Sequence, residues 1–316
     1  MAILKIGLCI GDPNGIGPEI ALKAAEKFLL DAQIDLQIIG DQSVIDFYLN
    51  KFPNLFPNSL NKIQITHVSG ISSTQLTPGK VTAEAGYATI EYLKRGVQLA
   101  QSKDIDVLIA CPHNETAVNM AGISFNGYPG KVAELTNTPK DQVFIMLVGG
   151  GLHIAHATLH EGVSSALDRL TSDLVTKAGI AACKALEQLG KKNPSLGIFG
   201  INPHAGENGL FGQEDILVTF PASEELKRLG WNASTPQGAD VLLSENKHDV
   251  YLAMFHDQGH IPIKLISPKS AAAITIGTNI LFSSVAHGTA MDIAGKGIAS
   301  PTALINAIEV LINSIQ

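Results

Sequence analysis

The sequence predicts an α/β protein built on a largely parallel sheet, and two observations predict it. Short β-type runs alternate with helical stretches along all 316 residues, and a hydrophobic content of 45% comes with 30 glycines and only 16% charged residues. That is enough apolar material for one large core or two medium ones, and two fit this length better. The opening run LKIGLCI (4–10) reads as a strand that runs straight into GDPNG, and GPEIALKAAEKFLLDA (17–32) follows as a helix with Pro18 and Glu19 in its first turn. LQIIG (36–40) and SVIDFYLNKF (43–52) repeat the strand–helix pair, while DVLIACP (106–112) and FIMLVGGG (144–151) are apolar strands ended by turn formers. The second half continues with a strand at 153–159, one long helix through 165–190, strands at 195–201, 249–255 and 272–277, and a closing helix at 302–315.

Composition excludes several classes of function. A net charge of −7, a pI near 5.8 and no cluster of Lys and Arg argue against nucleic acid or an anionic membrane surface as a partner. No run reaches the length of a membrane span, and the first apolar stretch carries Lys5, so it reads as a strand and not a signal peptide. Cys9, Cys111 and Cys183 are odd in number and set in apolar segments, which fits reduced core thiols in a cytoplasmic protein.

Three histidines stand in distinctive settings: His160 in ATLHEG, His204 in GINPHAGE and His256 in FHDQGHIP. An apolar run leads into each, and polar or turn-forming residues follow, so each imidazole is expected at a strand end or in a loop. Neutral imidazole binds late first-row divalent ions, and three protein ligands with an open position is a catalytic arrangement. Taken singly, each fits a hydrogen-bonded core or capping histidine better. The motif GDPNGIGPEI sets three glycines and two prolines between a strand and a helix. It could hold a ligand's polar group on backbone N–H donors, or it could be a structural turn. Its spacing matches neither a Walker loop nor GxGxxG. Near the other end, HGTAMDIAGKGIASP has the composition to wrap an adenosine, with Asp292 able to accept from ribose hydroxyls.

GDPNGIGPEI and HGTAMDIAGKGIASP resemble the opening motif and adenosine loop of the β-decarboxylating dehydrogenases, the isocitrate and isopropylmalate dehydrogenase superfamily. ATLH, GINPHAGE, FHDQG and ACPHNETAVNMAG resemble, more specifically, the 4-hydroxythreonine-4-phosphate dehydrogenase family of vitamin B6 synthesis, over essentially the whole chain. The resemblance implies two α/β/α domains with a cleft between them, 1–130 with 280–316 and 131–279, the second carrying the histidines. It implies a homodimer with its active site near the subunit interface. It also implies a divalent metal (Zn, Co, Ni, Mn, Mg or Fe) on His160, His204 and His256. The cofactor residues would be His287, Gly288, Asp292, Ile293 and Gly295, and Asp292–Ile293 after the HG element goes with NAD rather than NADP, since a carboxylate accepts from the ribose 2′-OH and repels a 2′-phosphate.

Departures from that family bear on the substrate. Its His-Thr pair is replaced by Tyr128 and Pro129, its substrate-binding Asn and Arg by Ala273 and Phe282, and a basic position by Glu115, which is poor chemistry for gripping a phosphate dianion. ACPHNET, GYPG, KHDVYLAM and HDQGHIPIKL resemble instead a subfamily that oxidises and decarboxylates terephthalate cis-dihydrodiol to protocatechuate. A small dicarboxylate diol would then meet Tyr128, His113 and His260, the last two serving equally well as support for the fold. Lys264 is the expected proton-transfer or carboxylate-positioning group, with a pKa depressed in an apolar cleft, unless it is a plain surface lysine; Asp240 is the second catalytic candidate, and Asp257 could orient a ligand. The alternatives are an authentic 4-hydroxythreonine-4-phosphate dehydrogenase or relative, a metal-dependent hydrolase, and a binding protein without catalysis.

Overall fold

The computed structural model describes residues 3–58, 62–125, 127–268, 271–285 and 287–315. Its first unit, Met1–Asn137 with Asn279–Glu309, is built on β1 (Leu4–Cys9), β2 (Ile34–Gly40), β3 (Gln64–His67), β4 (Val107–Ala110) and the late strand β11 (Leu281–Ser284). They pair in the order β3-β2-β1-β4-β11, every pair parallel. Parallel neighbours need crossover helices, and α1 (Gly17–Phe28), α2 (Gln42–Lys51) and α3 (Ala83–Gln101) supply them. The sequence reading passed over α3, although Thr82 caps it by accepting from the Ala85 N–H at 3.2 Å and its apolar residues recur at helical spacing. Two short helices follow, α4 (Glu115–Met120), capped by Asn114, and α5 (Tyr128–Leu135). The domain boundary expected at 130 falls inside α5, and the unit extends to Asn137.

In the second unit, Thr138–Thr278 with Val310–Gln316, the sheet is mixed. Strands β5 (Phe144–Gly149), β6 (Leu152–His156), β7 (Ser195–Ile198), β8 (Asn232–Ala233), β9 (Val250–Ala253) and β10 (Ala272–Ile276) pair in the order β10-β5-β6-β9-β7-β8. β5 runs antiparallel to both neighbours. The reason is local: Gly149 pairs with Leu152, leaving Gly150 and Gly151 as a two-residue turn with φ of 60° and 81°, the left-handed pair a tight hairpin demands. The expectation of parallel pairing therefore holds in the first unit and fails at β5.

The helix expected through 165–190 is two helices, α6 (Val163–Arg169) and α7 (Ser172–Gln188). Leu170 is extended between them, and Thr171 begins the second by accepting from the Leu174 N–H at 3.1 Å. Helices α8 (Phe220–Arg228), α9 (Ala239–Glu245), α10 (His256–Ile266) and α11 (Thr302–Ile315) complete the chain. The core over β5, β6 and β9 joins Leu147, Leu152, Ile154 and Tyr251 to Leu242 of α9 and Ile263 of α10. Burying Ile263 and Leu242 there is worth about 2 kcal/mol each and fixes where α10 begins. No helix among the described residues is long and apolar enough to cross a membrane. All three cysteines are buried free thiols, and burial pushes Cys183 up to about 12.

Candidate functional site

The site in the second unit is built by β6, β9 and the start of α10. β9 ends at Ala253, and α10 opens soon after on His256, so this imidazole stands in the first turn of a helix rather than at the strand end or in the loop that the sequence suggested. Gln258 secures that turn: its Oε1 accepts from the Met254 and Phe255 N–H groups at 2.9 and 3.1 Å, and its Nε2 donates to Gly200 O at 2.9 Å. His160 follows β6 by four residues, where Thr158 donates to Met254 O at 2.6 Å and holds the segment against the end of β9. The two rings come to 5.5 Å. A cavity of about 310 Å³ opens beside them, lined by Leu159, Val163, Ala166 and Phe255 on its apolar side and by Glu161 and Asp257 among its polar groups, with neither Lys nor Arg among the described residues of the lining.

His204 is placed apart, exposed on a loop whose residues His204, Ala205, Gly206, Glu207 and Asn208 are all left-handed. The loop is tied down by Asp215, fully buried, which accepts from the Ile201 and Asn202 N–H groups at 2.8 and 2.9 Å and from Thr219 Oγ1 at 2.7 Å. Its ring meets Phe211 at 6.0 Å rather than His160 or His256. Among the described residues no group of three or more His, Cys, Asp or Glu is arranged to hold a metal ion. The donor chemistry nevertheless fits one. His256 Nδ1 lies 2.7 Å from Asp257 Oδ1 and His204 Nδ1 lies 3.1 Å from Glu207 Oε2, and a carboxylate on Nδ1 is what orients an imidazole to ligate through Nε2.

Residues 256, 260 and 264 share one face of α10 at i, i+4 spacing. His260 stacks on His256 with centroids 3.7 Å apart and planes 13° from parallel. Lys264 is exposed, so the apolar burial expected around it is absent. Asp240, in the first turn of α9, is exposed as well. Sequence reasoning missed His156. It sits on β6, 2% exposed, with Nε2 3.2 Å from His260 Nδ1 and Nδ1 3.3 Å from Ile145 O. Burial, helped by the nearby His260, holds it down to about 3, a neutral ring at any physiological pH. Its signal was parity: Leu152, Ile154 and His156 share the inward face of β6. Gly259 makes room for it, since a Cβ there would lie 2.3 Å from His156 Nε2.

The first unit holds the expected cofactor loop and an aromatic nest. In the loop, Asp292 is exposed and Gly295 is left-handed at φ 71° against Pro78. Ile293 is half-buried, its N–H donating to Ala290 O at 3.0 Å, and His287 Nδ1 lies 3.1 Å from the carbonyl of Gly288. The loop is clamped by α1: Glu19, fully buried, accepts from the Gly297 and Ala299 N–H groups at 3.1 and 2.7 Å and from Lys23 Nζ at 2.7 Å. Lys23 in turn donates to Gly297 O and Ala299 O at 3.0 and 2.7 Å. GDPNGIGPEI thus does the structural work of fastening the glycine loop, and Thr289 O accepts from Ile16 N–H at 3.0 Å. Asp12 of the motif is fully buried, its Oδ2 without a hydrogen-bond partner among the described residues; burial pushes it up to about 6 against hydrogen bonds from the Asn14 and Gly15 N–H groups.

In the nest, His113 packs edge-on against Phe125 and Tyr128 at 4.7 and 4.3 Å, and Tyr128 meets Phe282 at 5.5 Å. Burial lowers the His113 pKa, with Glu115 pulling the other way. Tyr128 is 3% exposed and donates its hydroxyl to Cys111 O at 2.8 Å, while Phe282 is fully buried. The aromatic positions read as substrate-facing are in this structure the core beneath His113, which keeps the partly exposed face.

The chain is 44% identical over 307 residues to 1,2-dihydroxy-3,5-cyclohexadiene-1,4-dicarboxylate dehydrogenase of Comamonas sp, covering 97% of this chain and 96% of that one. It is 35% identical over 319 residues to D-threonate 4-phosphate dehydrogenase of Cupriavidus necator, at 96% and 95% coverage. Among solved structures, a terephthalate 1,2-cis-dihydrodiol dehydrogenase from Burkholderia xenovorans superposes with a TM-score of 0.81 at 43% identity, covering 98% of each chain. A 4-hydroxythreonine-4-phosphate dehydrogenase from Burkholderia phymatum gives 0.91 at 31% identity, covering 100% and 98%. The family described as pyridoxal phosphate biosynthetic protein PdxA matches residues 13–311. With that match spanning nearly the whole α/β chain and dehydrogenases on every side of it, this protein belongs to the PdxA family.

Proposed function

We propose that this chain is a metal-dependent, NAD-linked dehydrogenase that oxidises terephthalate cis-dihydrodiol and decarboxylates it to protocatechuate. The observation that carries this reading is the pairing of His160 with His256 beside a cavity whose described lining holds no Lys or Arg, in a chain 44% identical to a dihydrodiol dicarboxylate dehydrogenase. A phosphate dianion wants several convergent cationic donors, whereas single ring carboxylates need fewer. The bound groups supply a hydride acceptor, nicotinamide, and a Lewis acid that withdraws charge from the reacting oxygens. The chain supplies the rest. His160 and His256 would hold the cation and His204 would complete the set, a ligand set that goes with the reading of a homodimer whose site lies near the subunit interface. Lys264, on the His256 face of α10, positions a carboxylate, and His113 presents a neutral edge to the ring. Asp292 accepts from the adenosine ribose. Tyr128 acts only through His113, and Asp240 is left without an assigned contact. The isocitrate-dehydrogenase-like arrangement belongs to the same reading.

The second reading, a 4-hydroxythreonine-4-phosphate or D-threonate 4-phosphate dehydrogenase, draws on the phosphate-using relatives. NADH formation separates the two. With NAD and added divalent metal, the diol should be turned over with release of carbon dioxide and protocatechuate, EDTA should abolish it, and the phosphates should give at most a trace. Turnover of a phosphate in place of the diol would reverse the assignment.

A further inference from the structure

We infer that Asn14 is a positioning residue for the cofactor: through the turn Thr77–Lys80 it sets the loop that carries Asp292, and so sets the preference for NAD over NADP without touching either. The link to a dinucleotide rests on the proposed NAD-linked activity; the link from Asn14 to the loop does not. Asn14 is fully buried, and its N–H donates to Asp12 Oδ1 at 2.8 Å. Its Oδ1 accepts from the Thr77 N–H at 2.8 Å, and its Nδ2 donates to Lys80 O at 3.0 Å and to Thr77 Oγ1 and Thr82 Oγ1, each at 3.3 Å. A main-chain N–H only donates and a carbonyl only accepts, so the position requires a side chain that offers both a donor and an acceptor. The turn is itself closed, since Lys80 N–H donates to Thr77 O at 3.0 Å. Asn14 O also accepts from the Gly79 N–H at 2.7 Å, a bond that any residue at position 14 keeps. That bond holds one point in the middle of the turn; the side chain holds both ends, Thr77 and Lys80, and so fixes its tilt.

The turn meets the loop on both sides of Asp292. A Cβ on Gly79 would lie 2.9 Å from Met291 O, and one on Gly295 would lie 2.8 Å from Pro78 Cβ, so neither contact leaves room for a side chain between. Between these contacts the loop turns, with Ile293 N–H donating to Ala290 O at 3.0 Å, Lys296 N–H donating to Ile293 O at 3.3 Å, and Asp292 exposed. A carboxylate tells a ribose 2′-OH from a 2′-phosphate only when it is held at hydrogen-bond distance from the ribose, which a loop supported on either side of it provides. The Glu19 clamp acts further on, at Gly297 and Ala299, and persists when Asn14 is changed. The loop then stays on the protein, and the loss is confined to the support around Asp292.

The test is the Kd of the full chain for NADH and for NADPH, read by the fluorescence of the reduced nicotinamide, which needs no substrate. In Asn14→Ala the preference for NADH should fall about ten-fold, through the loss of one charge-assisted hydrogen bond to the ribose. Asp292→Asn should lower it as far and the double variant no further, because Asn14 acts through Asp292. Pro78→Gly, which takes the ring away from Gly295 and leaves the buried amide alone, should lower it in the same direction, and it decides alone if Asn14→Ala fails to fold. An unchanged preference in Asn14→Ala, an equal weakening of both dinucleotides, or effects of Asn14→Ala and Asp292→Asn that multiply would each overturn the inference. A wild type that binds neither dinucleotide, or prefers NADPH, overturns the cofactor half. Hydrogen exchange at the Ile293 and Lys296 amides then reads the support by itself: it should quicken in Asn14→Ala, and unchanged exchange overturns that half too.

Discussion

Alanine at position 256 is expected to lower kcat/KM for the diol by about 10³-fold or more while leaving the fold intact. Loss of a Lewis acid removes several kcal/mol of transition-state stabilisation, and each 1.36 kcal/mol is a factor of ten. The cost to the fold is small because the His256 side chain is 36% exposed and the α10 start is held independently by Gln258 through Met254, Phe255 and Gly200. Two measurements check this: NADH formation, and metal bound per chain in the purified protein by atomic emission. His160→Ala should give a comparable loss, and the double variant little more, since the two imidazoles act as one unit. Full metal content and near-normal turnover in His256→Ala would remove the histidine pair from the chemistry.

Glu19→Gln is expected to have the largest effect on stability. Glu19 is fully buried and satisfies two backbone N–H groups and the Lys23 ammonium, and breaking a buried pair by neutralising one partner costs about 3–5 kcal/mol. For a protein of this size that corresponds to a Tm lower by roughly 5–8 °C. The residues released, Gly297 and Ala299, continue the segment that carries Asp292 and Gly295, so the KM for NAD should rise as well. Calorimetry and NAD titration read the two effects, and an unchanged Tm with unchanged KM would mean the clamp holds nothing.

Much of the chemistry was legible because it is local. The strands that lead into His160 and His256 are apolar runs that anyone can read, and the α10 face is visible in HDQGHIPIK as residues four apart. The Gly150–Gly151 reversal was legible too, as two glycines between apolar runs, but a run of three glycines read more simply as a strand's end. What escaped was long-range pairing. His260 and His156 are 104 residues apart, and Glu19 finds Gly297 and Ala299 278 and 280 residues away, separations that no local pattern encodes. Burial misled in the other direction at Phe282, Tyr128 and Lys264: their identity in the sequence is plain, but whether a side chain faces a ligand, the core or solvent depends on neighbours brought in by the fold.

The glycine hairpin between β5 and β6 has a kinetic side. Closing a two-residue turn needs almost no loop entropy, and hairpins form within about 1–10 μs, whereas β10 must be brought back to β5 from more than a hundred residues along the chain. The mixed sheet therefore has a local seed, and pulse-labelled hydrogen exchange should find β5 and β6 protected before β10. The strand that carries His156, and leads directly to His160, is half of that seed, so the histidine arm is expected to take its direction from a pairing that precedes the return of β10.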